Sequence, residues 1–535
     1  MLIDFFLFPL FAASVSTIGL SFLLLARNAL RLSISKTPAF LLPLLGAFSI
    51  GSVALIVNFF SGVAVSFSYT LLGALLIFGI LNATQDDRRS IFLICLLAAL
   101  CTPLAADMQP GPDAALYHIP HQKWIREREI VFGLANLHSR YGFSSMLEYI
   151  NSLLWIGESF KLLSYMSALF FVSLLAFCYN AINDSNPVTR FLTILIVINM
   201  LVYDNFFIWK YGYADSPAGI TLALSAMFGV YILETSEKKL PNLEGFLLAF
   251  LTISAMSVAL KVSSILIVPW TAFVIIVVAR EKRIALKRLF FVAVMPGLFA
   301  IIWTIRGVII SGCLLFPSSL GCLNVSWSAK ELAIHEANWV TAWARHPHAG
   351  LYSLEDSSWL TNYWLSANKE FILFSLLAGT TVVFVAMIAS HRFEMVKLRK
   401  IEASALVFFV FAAFVLWFTK APTERFGIGV FLIAIPSIAV SVFGAPKFDI
   451  GMQTRIISLI LVFFLADKQG GYSLKNLTKF HFLTVPTVET VEDPEFGVRP
   501  AEGGGDCWTA RHCAPYDRPT PSVRSGYLFF GTHSE

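Results

Sequence analysis

The chain has 535 residues, of which 57% are hydrophobic and only 14% are charged. Soluble domains carry about 25% charged residues, so this composition excludes a soluble globular protein, a disordered chain and a collagen-like fibre. The net charge of +5 is small, so the placement of the charges is more informative than their sum.

Apolar segments recur along most of the chain. A helix needs roughly 20 apolar residues to cross the hydrocarbon core of a membrane, and about fourteen segments approach that length. We therefore predict an all-α polytopic membrane protein with about 12–15 transmembrane helices. The first segment lacks a basic stretch and a small-residue cleavage site, so we expect a retained span instead of a signal peptide. The candidate segments are 3–26, 38–60, 65–83, 90–106, 162–180, 191–204, 216–234, 243–260, 262–279, 289–310, 371–390, 402–419, 426–444 and 452–467.

The basic residues predict an orientation. About half of the 39 Lys and Arg residues fall in alternate short loops, for example at Arg27, Arg88 and Arg283. Short loops rich in Lys and Arg stay in the cytoplasm. We therefore expect both termini and the two large loops, near 107–160 and 311–370, on the outer side. The predicted divisions are extra N-terminal helices at 1–89, a transmembrane core at 90–467 and a small extracytoplasmic tail at 468–535.

The cysteines agree with this orientation. Cys313 and Cys322 lie in one predicted outer loop, and Cys507 and Cys513 lie in the predicted outer tail. Disulfides form in oxidising compartments, so we predict one bond within each pair. Neither pair has the spacing of a zinc site.

The first large loop contains the residue that we single out first. Asp113 follows a Pro-Gly-Pro break near the end of a span, and Tyr117, His118 and His121 follow it. A carboxylate at the membrane boundary can accept a proton from an attacking hydroxyl, although it can also simply cap a helix. Asp113, His118 and His121 together have ligands for a divalent metal, but we favour ordinary polar contacts in a loop.

Three basic residues lie at predicted outer ends of spans. Lys261 interrupts an apolar run, Arg306 lies near the end of its span, and Arg425 opens another. Each can extend to the lipid headgroups, but three on the side of Asp113 point to an anionic group such as a lipid phosphate. Asp215, at the start of a span, either caps that helix or orients an acceptor or a lysine such as Lys210.

Common cofactor and nucleotide motifs are missing from the sequence. It contains no Walker loop, no GxGxxG and no HExxH, so nothing points to ATP hydrolysis, a Rossmann cofactor or a zinc protease. We expect no cofactor and no nucleic-acid partner.

Four local patterns, in order, carry a resemblance to a known group. They are PDAALYH around Asp113, GYADSPAG around Asp215, ALKVSS around Lys261 and TKAPTERF around Arg425. With them, the chain resembles the C-type integral-membrane glycosyltransferases (GT-C), which include protein O-mannosyltransferases and lipid A aminoarabinose transferases. The resemblance extends over about residues 90–535. The segments LANLHSRYGFSS, IRGVIISGCLLFPSS and GDCWTARHCAP indicate a bacterial branch.

The resemblance implies a fold, a reaction and roles for these residues. It implies a GT-C-like helix bundle in a bacterial inner membrane, with the active-site loops facing the periplasm. A sugar would move from a polyprenyl-phosphate carrier to a glycan, lipid or protein acceptor. Asp113 would be the base, and Lys261, Arg306 and Arg425 would hold the donor phosphate. No second acid adjoins Asp113, so we expect transfer without a metal and with inversion at the sugar carbon.

Other multispan proteins remain as alternatives. A polysaccharide polymerase would use basic loop residues and need no Asp base. A lipid-linked-sugar flippase would line a central cavity with its charges, and a scaffold for envelope assembly would need no catalytic residue.

Overall fold

The computed structural model is almost entirely α-helical, as the sequence predicts. It describes residues 2–34, 38–143, 145–157, 159–184, 186–203, 206–234, 242–355, 357–447, 452–469, 490–491, 499–500, 507–508 and 521–531. The helices are α1 (Leu2–Leu30), α2 (Leu41–Asn58), α3 (Ser66–Asn82), α4 (Gln85–Leu100), α5 (Thr102–Asp107), α6 (Ile119–Glu127), α7 (Leu134–Leu137), α8 (Ser139–Phe143), α9 (Met146–Ser152), α10 (Lys161–Ile182), α11 (Pro187–Val202), α12 (Asp215–Glu234), α13 (Leu243–Leu260), α14 (Ile267–Arg280), α15 (Leu286–Ser311), α16 (Lys330–Arg345), α17 (Leu365–Ala367), α18 (Lys369–Arg392), α19 (Lys400–Lys420), α20 (Glu424–Phe443) and α21 (Met452–Gln469).

Four short strand pairs, two π-helical turns and two 3-10 turns make up the other regular structure in the described ranges. The strand pairs are β1 (Gln109–Pro110) with β2 (Lys210–Tyr211), β3 (Met395–Val396) with β4 (Ala445–Pro446), β5 (Thr490–Val491) with β6 (Arg499–Pro500), and β7 (Pro521–Arg524) with β8 (Tyr527–Phe530). The β1–β2 pair is parallel and the other three are antiparallel. Ala114–His118 and Leu360–Trp364 are π-helical turns, and Val262–Leu266 and Gly350–Leu354 are 3-10 turns.

Every predicted span coincides with helix, but fewer helices reach spanning length than expected. Ten helices in the described ranges are long and apolar enough to cross a membrane, the pattern of a multi-pass membrane protein. α3 and α11 are apolar but have only 17 and 16 residues. α4 and α21 carry charges within their helical segments. The ten are α1, α2, α10, α12, α13, α14 with the 3-10 turn before it, α15, α18, α19 and α20.

The N-terminal helices are part of the same core as the rest of the bundle. α1 packs against α2 and α4, and α2 packs against α9, α10 and α13. α1 and α2 approach closely at Gly19 and Gly46. A Cβ on Gly19 would lie 2.0 Å from the Leu42 oxygen, and one on Gly46 would lie 1.9 Å from the Val15 oxygen. Side chains at these glycines would push the two helices apart.

Another glycine contact positions the start of two distant helices. α12 and α20 cross where a Cβ on Gly429 would lie 2.7 Å from the Gly219 oxygen. Each glycine lies about one helical turn after a charged residue, Asp215 on α12 and Arg425 on α20. The close crossing therefore brings the starts of both helices, and both charges, to the same end of the bundle.

The two ends of the bundle differ in character. At one end, Arg288 at the start of α15 pairs with Glu244 at the start of α13 and donates to the Arg31 oxygen. Arg399, just before α19, pairs with Glu281 after α14. The other end carries the residues of 107–160 and 311–355, and we call it the loop-rich end. Lys261 at the end of α13 and Gly312 at the end of α15 lie there.

The described part of the tail packs on the loop-rich end. Phe529 of β8 stacks on Phe132, with ring centroids 4.4 Å apart, and the Phe132 amide donates to the Leu528 oxygen. Phe530 is buried against Trp124. The amide of Trp508 donates to the Ala115 oxygen. The tail is therefore tied to the loop that contains Asp113.

Candidate active site

A cavity of about 770 Å³ opens at the loop-rich end, among segments that are far apart in sequence. Its wall includes six of the eight predicted binding or catalytic side chains: Asp113, Tyr117, His118, Asp215, Lys261 and Arg425. Apolar residues of α12, α19 and α20 form much of the remaining wall, including Leu222, Ala413, Leu416 and Val430. The cavity therefore combines one cluster of charges with a long apolar surface.

Asp113 pairs with Arg425 inside this cavity. The Arg425 guanidinium donates to the Asp113 carboxylate at 3.3 Å. The parallel β1–β2 pair holds Tyr213 nearby, and the Asp113 amide donates to the Tyr213 hydroxyl at 3.2 Å. The Asp113 side chain makes no cap hydrogen bond to the turn that follows it. Its carboxylate therefore faces a partner across the cavity.

Aromatic rings hold Arg425 in place. The carbon at the centre of its guanidinium lies 4.7 Å from the Phe426 ring and 5.0 Å from the Trp343 ring. Its buried Nε has no hydrogen-bond partner in the described part of the chain. Burial and the charge of Asp113 raise the pKa of Tyr213 to about 12, so that hydroxyl stays protonated. The Arg425 side chain is 21% exposed and lines the cavity, so the outer part of its guanidinium can meet a further acceptor there.

Lys261 and Asp215 form a second ion pair in the cavity wall. Lys261 is an extended residue between α13 and the 3-10 turn that follows, and its ammonium lies 3.9 Å from the Phe426 ring. Burial lowers the pKa of Lys261, and the charge of Asp215 partly offsets this effect. Asp215 was predicted to cap a helix or to orient an acceptor or a lysine such as Lys210. It is the first residue of α12, and the lysine that it contacts is Lys261 and not Lys210.

The structure adds Glu148, which sequence analysis missed. It lies on α9, is 3% exposed, and accepts from the Nδ1 atoms of His118 and His121, each at 2.7 Å. Burial alone would raise the pKa of Glu148, but His121 and His118 together hold it well below its usual range. The Ser145-x-x-Glu148 spacing is a capping-box signal, and the structure contains that box. This spacing predicts where α9 begins, but it does not predict that Glu148 contacts His118 and His121.

Arg140 is a second cavity residue that sequence analysis missed. Its Nε lies 3.0 Å from a carboxylate oxygen of Glu336 on α16, with which it forms an ion pair, and its guanidinium lies 5.8 Å from the Tyr117 ring. The Ser139 hydroxyl donates to the other Glu336 oxygen, at 2.6 Å. These contacts join the two large loops. The sequence feature that could have indicated this residue is the arginine in the segment LHSRYGF, which belongs to the resemblance described above.

His121 and Arg306 lie away from the cavity wall. His121 is buried, and its ring stacks on Tyr141. Arg306 is 2% exposed, and its Nε donates to the Tyr149 hydroxyl at 3.1 Å while its guanidinium lies 4.8 Å from the Trp303 ring. The structure therefore does not bring Arg306 together with Lys261 and Arg425.

The described residues include no group of three or more His, Cys, Asp or Glu side chains arranged to hold a metal ion. His118 and His121 point their Nδ1 atoms at Glu148 instead of joining Asp113 around a common centre.

The disulfide predicted in the second large loop is confirmed. Cys313 is bonded to Cys322, and Pro317–Leu320 within the closed loop line the cavity. Cys507 is disulfide-bonded and buried, whereas Cys513 lies outside the described residues. The covalent loop thus forms part of the cavity wall.

A family model described as "Domain of unknown function (DUF8201)" matches residues 1–432. The chain belongs to this family. The match includes the cavity residues from Asp113 to Arg425, whereas the β7–β8 hairpin of this DUF8201 protein lies beyond it. No curated protein and no solved structure matches the chain.

Proposed function

We propose that this protein transfers a sugar from a polyprenyl-phosphate carrier to a hydroxyl acceptor. The observation that carries the proposal is the meeting of a carboxylate, Asp113, with two cations, Lys261 and Arg425, in one largely apolar cavity. A glycosyl phosphate donor needs positive charge on its phosphate and a proton acceptor near its sugar carbon.

The donor phosphate binds between Lys261 and Arg425 in this proposal. Arg grips phosphate through a fork of donors, and Lys acts as a point charge. The apolar wall formed by Leu222, Leu416 and Val430 suits the polyprenyl chain. Both cations also have a carboxylate partner, so a donor phosphate competes with Asp113 and Asp215 for them.

Asp113 acts as the base. Donor phosphate that engages Arg425 weakens the ion pair with Asp113 and frees the carboxylate for the acceptor. The acceptor hydroxyl gives its proton to Asp113 while its oxygen bonds to the sugar carbon. The bond from that carbon to the phosphate oxygen breaks, and the electron pair leaves with the phosphate. One direct displacement of this kind inverts the sugar carbon and needs no metal.

The orientation proposed from the charges places the loop-rich end in the periplasm of a bacterial inner membrane. The opposite end carries basic residues such as Arg288 and Arg399, and basic loops stay in the cytoplasm. The Cys313–Cys322 bond at the loop-rich end supports the same orientation, because disulfides persist in oxidising compartments. The acceptor is then a lipopolysaccharide, another surface glycan or a protein.

A strain comparison tests the proposal. A gene deletion is complemented with wild type, with Asp113→Asn, or with Asp86→Asn, which changes an exposed acid in the first turn of α4, outside the cavity wall. Surface glycans and glycoproteins are analysed by mass spectrometry. We expect the same sugar to be missing from the deletion and the Asp113→Asn strains, and present in the others. Wild-type glycans with well-expressed Asp113→Asn protein would instead favour a polymerase, a flippase or a scaffold.

A further inference from the structure

His118 and His121 share one carboxylate but face different surroundings. Each Nδ1 lies 2.7 Å from a different oxygen of Glu148. The Ser145 amide also donates to Glu148, at 3.1 Å. Ionised Glu148 can only accept hydrogen bonds, so both histidines carry their hydrogen on Nδ1. Their Nε2 atoms are then the nitrogens that can accept a proton.

Only one of these two histidine rings belongs to the cavity wall. His118 is 12% exposed and lines the cavity wall. His121 is 1% exposed, lies outside the wall, and its buried Nε2 has no hydrogen-bond partner in the described ranges. Protonation of His121 Nε2 would bury an N–H group without an acceptor, which is costly. Proton exchange with the cavity therefore favours His118.

The π-helical turn puts His118 on the same side of the chain as Asp113. In this turn the Ile119 amide donates to the Ala114 oxygen, five residues earlier, so residues five apart lie about one turn apart on the same side. Asp113 and His118 have this spacing, and both line the cavity.

Resting on the proposed function, we propose that His118 is a second proton-transfer residue, oriented by Glu148, that takes from Asp113 the proton of the acceptor hydroxyl. The Asp113 O–H bond breaks, and an N–H bond forms at His118 Nε2. Asp113 returns to its ionised form, and the imidazolium is stabilised by Glu148 until it releases the proton to solvent. Glu148 touches no substrate and acts only through His118.

The charged and titratable groups around His118 come from several elements. Glu148 approaches from α9, and Tyr117 and Asp113 from the turn of His118 itself. Tyr213 approaches from the segment after β2, Asp215 from α12 and Arg140 from α8. His118 shares the cavity with Lys261 and Arg425 from two further elements. Only Glu148 makes a hydrogen bond to the His118 ring among the described residues. Removing its charge is therefore the change that most weakens proton binding at His118.

A chemical test needs no substrate. Diethyl pyrocarbonate modifies neutral imidazole, so its rate of reaction against pH, read by peptide mass spectrometry on the full-length protein in nanodiscs, reports the protonation of each histidine. We expect His118 to react and folded His121 to be protected. We also expect Glu148→Gln to move the His118 midpoint to lower pH. An unreactive His118, or a midpoint that does not move, contradicts the proposal.

A transfer assay then separates the two histidines. His118→Gln should lower the transfer rate by about 100-fold, within the usual range for acid–base catalysis, and remove the acid limb of the pH profile. Glu148→Gln should move that limb to lower pH. His121→Gln, the matched control, should keep the acid limb of the pH profile unchanged. Thermal unfolding of each variant reports whether it is folded.

The outcomes distinguish the relay from the proposed function. An unchanged acid limb in folded His118→Gln, with wild-type transfer present, overturns the relay and leaves the glycosyltransferase proposal intact. If His118→Gln does not fold, the position of the acid limb of the pH profile in Glu148→Gln tests the relay instead. Absence of transfer by wild type, despite the expected chemical modification, contradicts the proposed function and the relay with it.

Discussion

Arg425 donates a hydrogen bond to Asp113 across 312 positions of sequence. The contact joins the first large loop to the start of α20, and the crossing at Gly219 and Gly429 brings Asp215 to the same place. The acidic side chains Asp113 and Asp215 and the basic side chains Lys261 and Arg425 thus form one cluster. In sequence, each of the four was also compatible with a helix cap or a headgroup contact.

Replacement of Arg425 should weaken use of the donor. A hydrogen bond to a charged group is worth about 2 kcal/mol, so Arg425→Gln should lower kcat/KM for a polyprenyl-phosphate sugar by about 30-fold. Arg425→Lys should recover part of the loss, because it keeps the charge without the fork. Transfer to a synthetic acceptor measures both. Lys447→Gln, at an exposed ion pair, is the control, and equal loss in all three variants would refute a specific role.

Removal of either Lys261 or Asp215 alone should destabilise the fold, because it leaves the other charge unpaired. One partner left alone in a buried site costs about 3 kcal/mol. We therefore expect Asp215→Asn and Lys261→Met each to lower the unfolding temperature, and the double variant to lose less than their sum. Thermal unfolding in detergent measures the cycle. Additive losses would mean that the two side chains stabilise the fold independently.

Glu148 should make stability depend on acid pH. Its folded-state pKa lies below the ordinary value of 4.5, so the unfolded chain binds the proton more readily. The stabilisation is present above about pH 4.5 and decreases as the pH falls. Glu148→Gln should therefore be less stable than wild type near pH 7, with a gap that narrows below pH 4.5. Unfolding temperatures across this range measure the gap, with exposed Glu394→Gln as control. A constant gap would contradict the prediction.

Removal of the Cys313–Cys322 bond should loosen the cavity wall. The bond closes a loop with a sequence separation of 9, and closure of such a loop stabilises a fold by about 2–3 kcal/mol. The double replacement by Ala should lower the unfolding temperature and increase hydrogen exchange at Leu320. Cys95→Ala, which removes a free thiol, is the control. Unchanged exchange at Leu320 would show that packing alone holds this loop.

The sequence predicts helix positions well because a membrane span has a simple composition. All fourteen predicted segments are helical, and ten described helices are long and apolar enough to span a membrane. Other predicted segments do not reach that length and composition because α3 and α11 are short and α4 begins with charged residues. The first disulfide followed from two cysteines close together in one loop.

The position of a side chain around an apolar helix was harder to predict. Arg306 lies at the loop-rich end as Lys261 does, but α15 turns it toward Tyr149. Apolar residues surround Arg306 in sequence, so the pattern did not show which face meets the cavity. Glu148 was missed for a related reason: its partners come from another segment, and a capping box explained its spacing locally.

The β7–β8 hairpin imposes an order on assembly. Phe132 and Asn136 of the first large loop make hydrogen bonds to the Leu528 and Phe530 oxygens, so these contacts form only after residue 530 has been synthesised. A chain interrupted near position 500 would contain every residue of the cavity wall and all ten helices of spanning length in the described ranges. It would nevertheless lose the Phe529 ring that stacks on Phe132 and the Phe530 ring that packs against Trp124. Nonsense and frameshift alleles near the 3′ end of the gene should therefore yield membrane protein whose first large loop is open to protease.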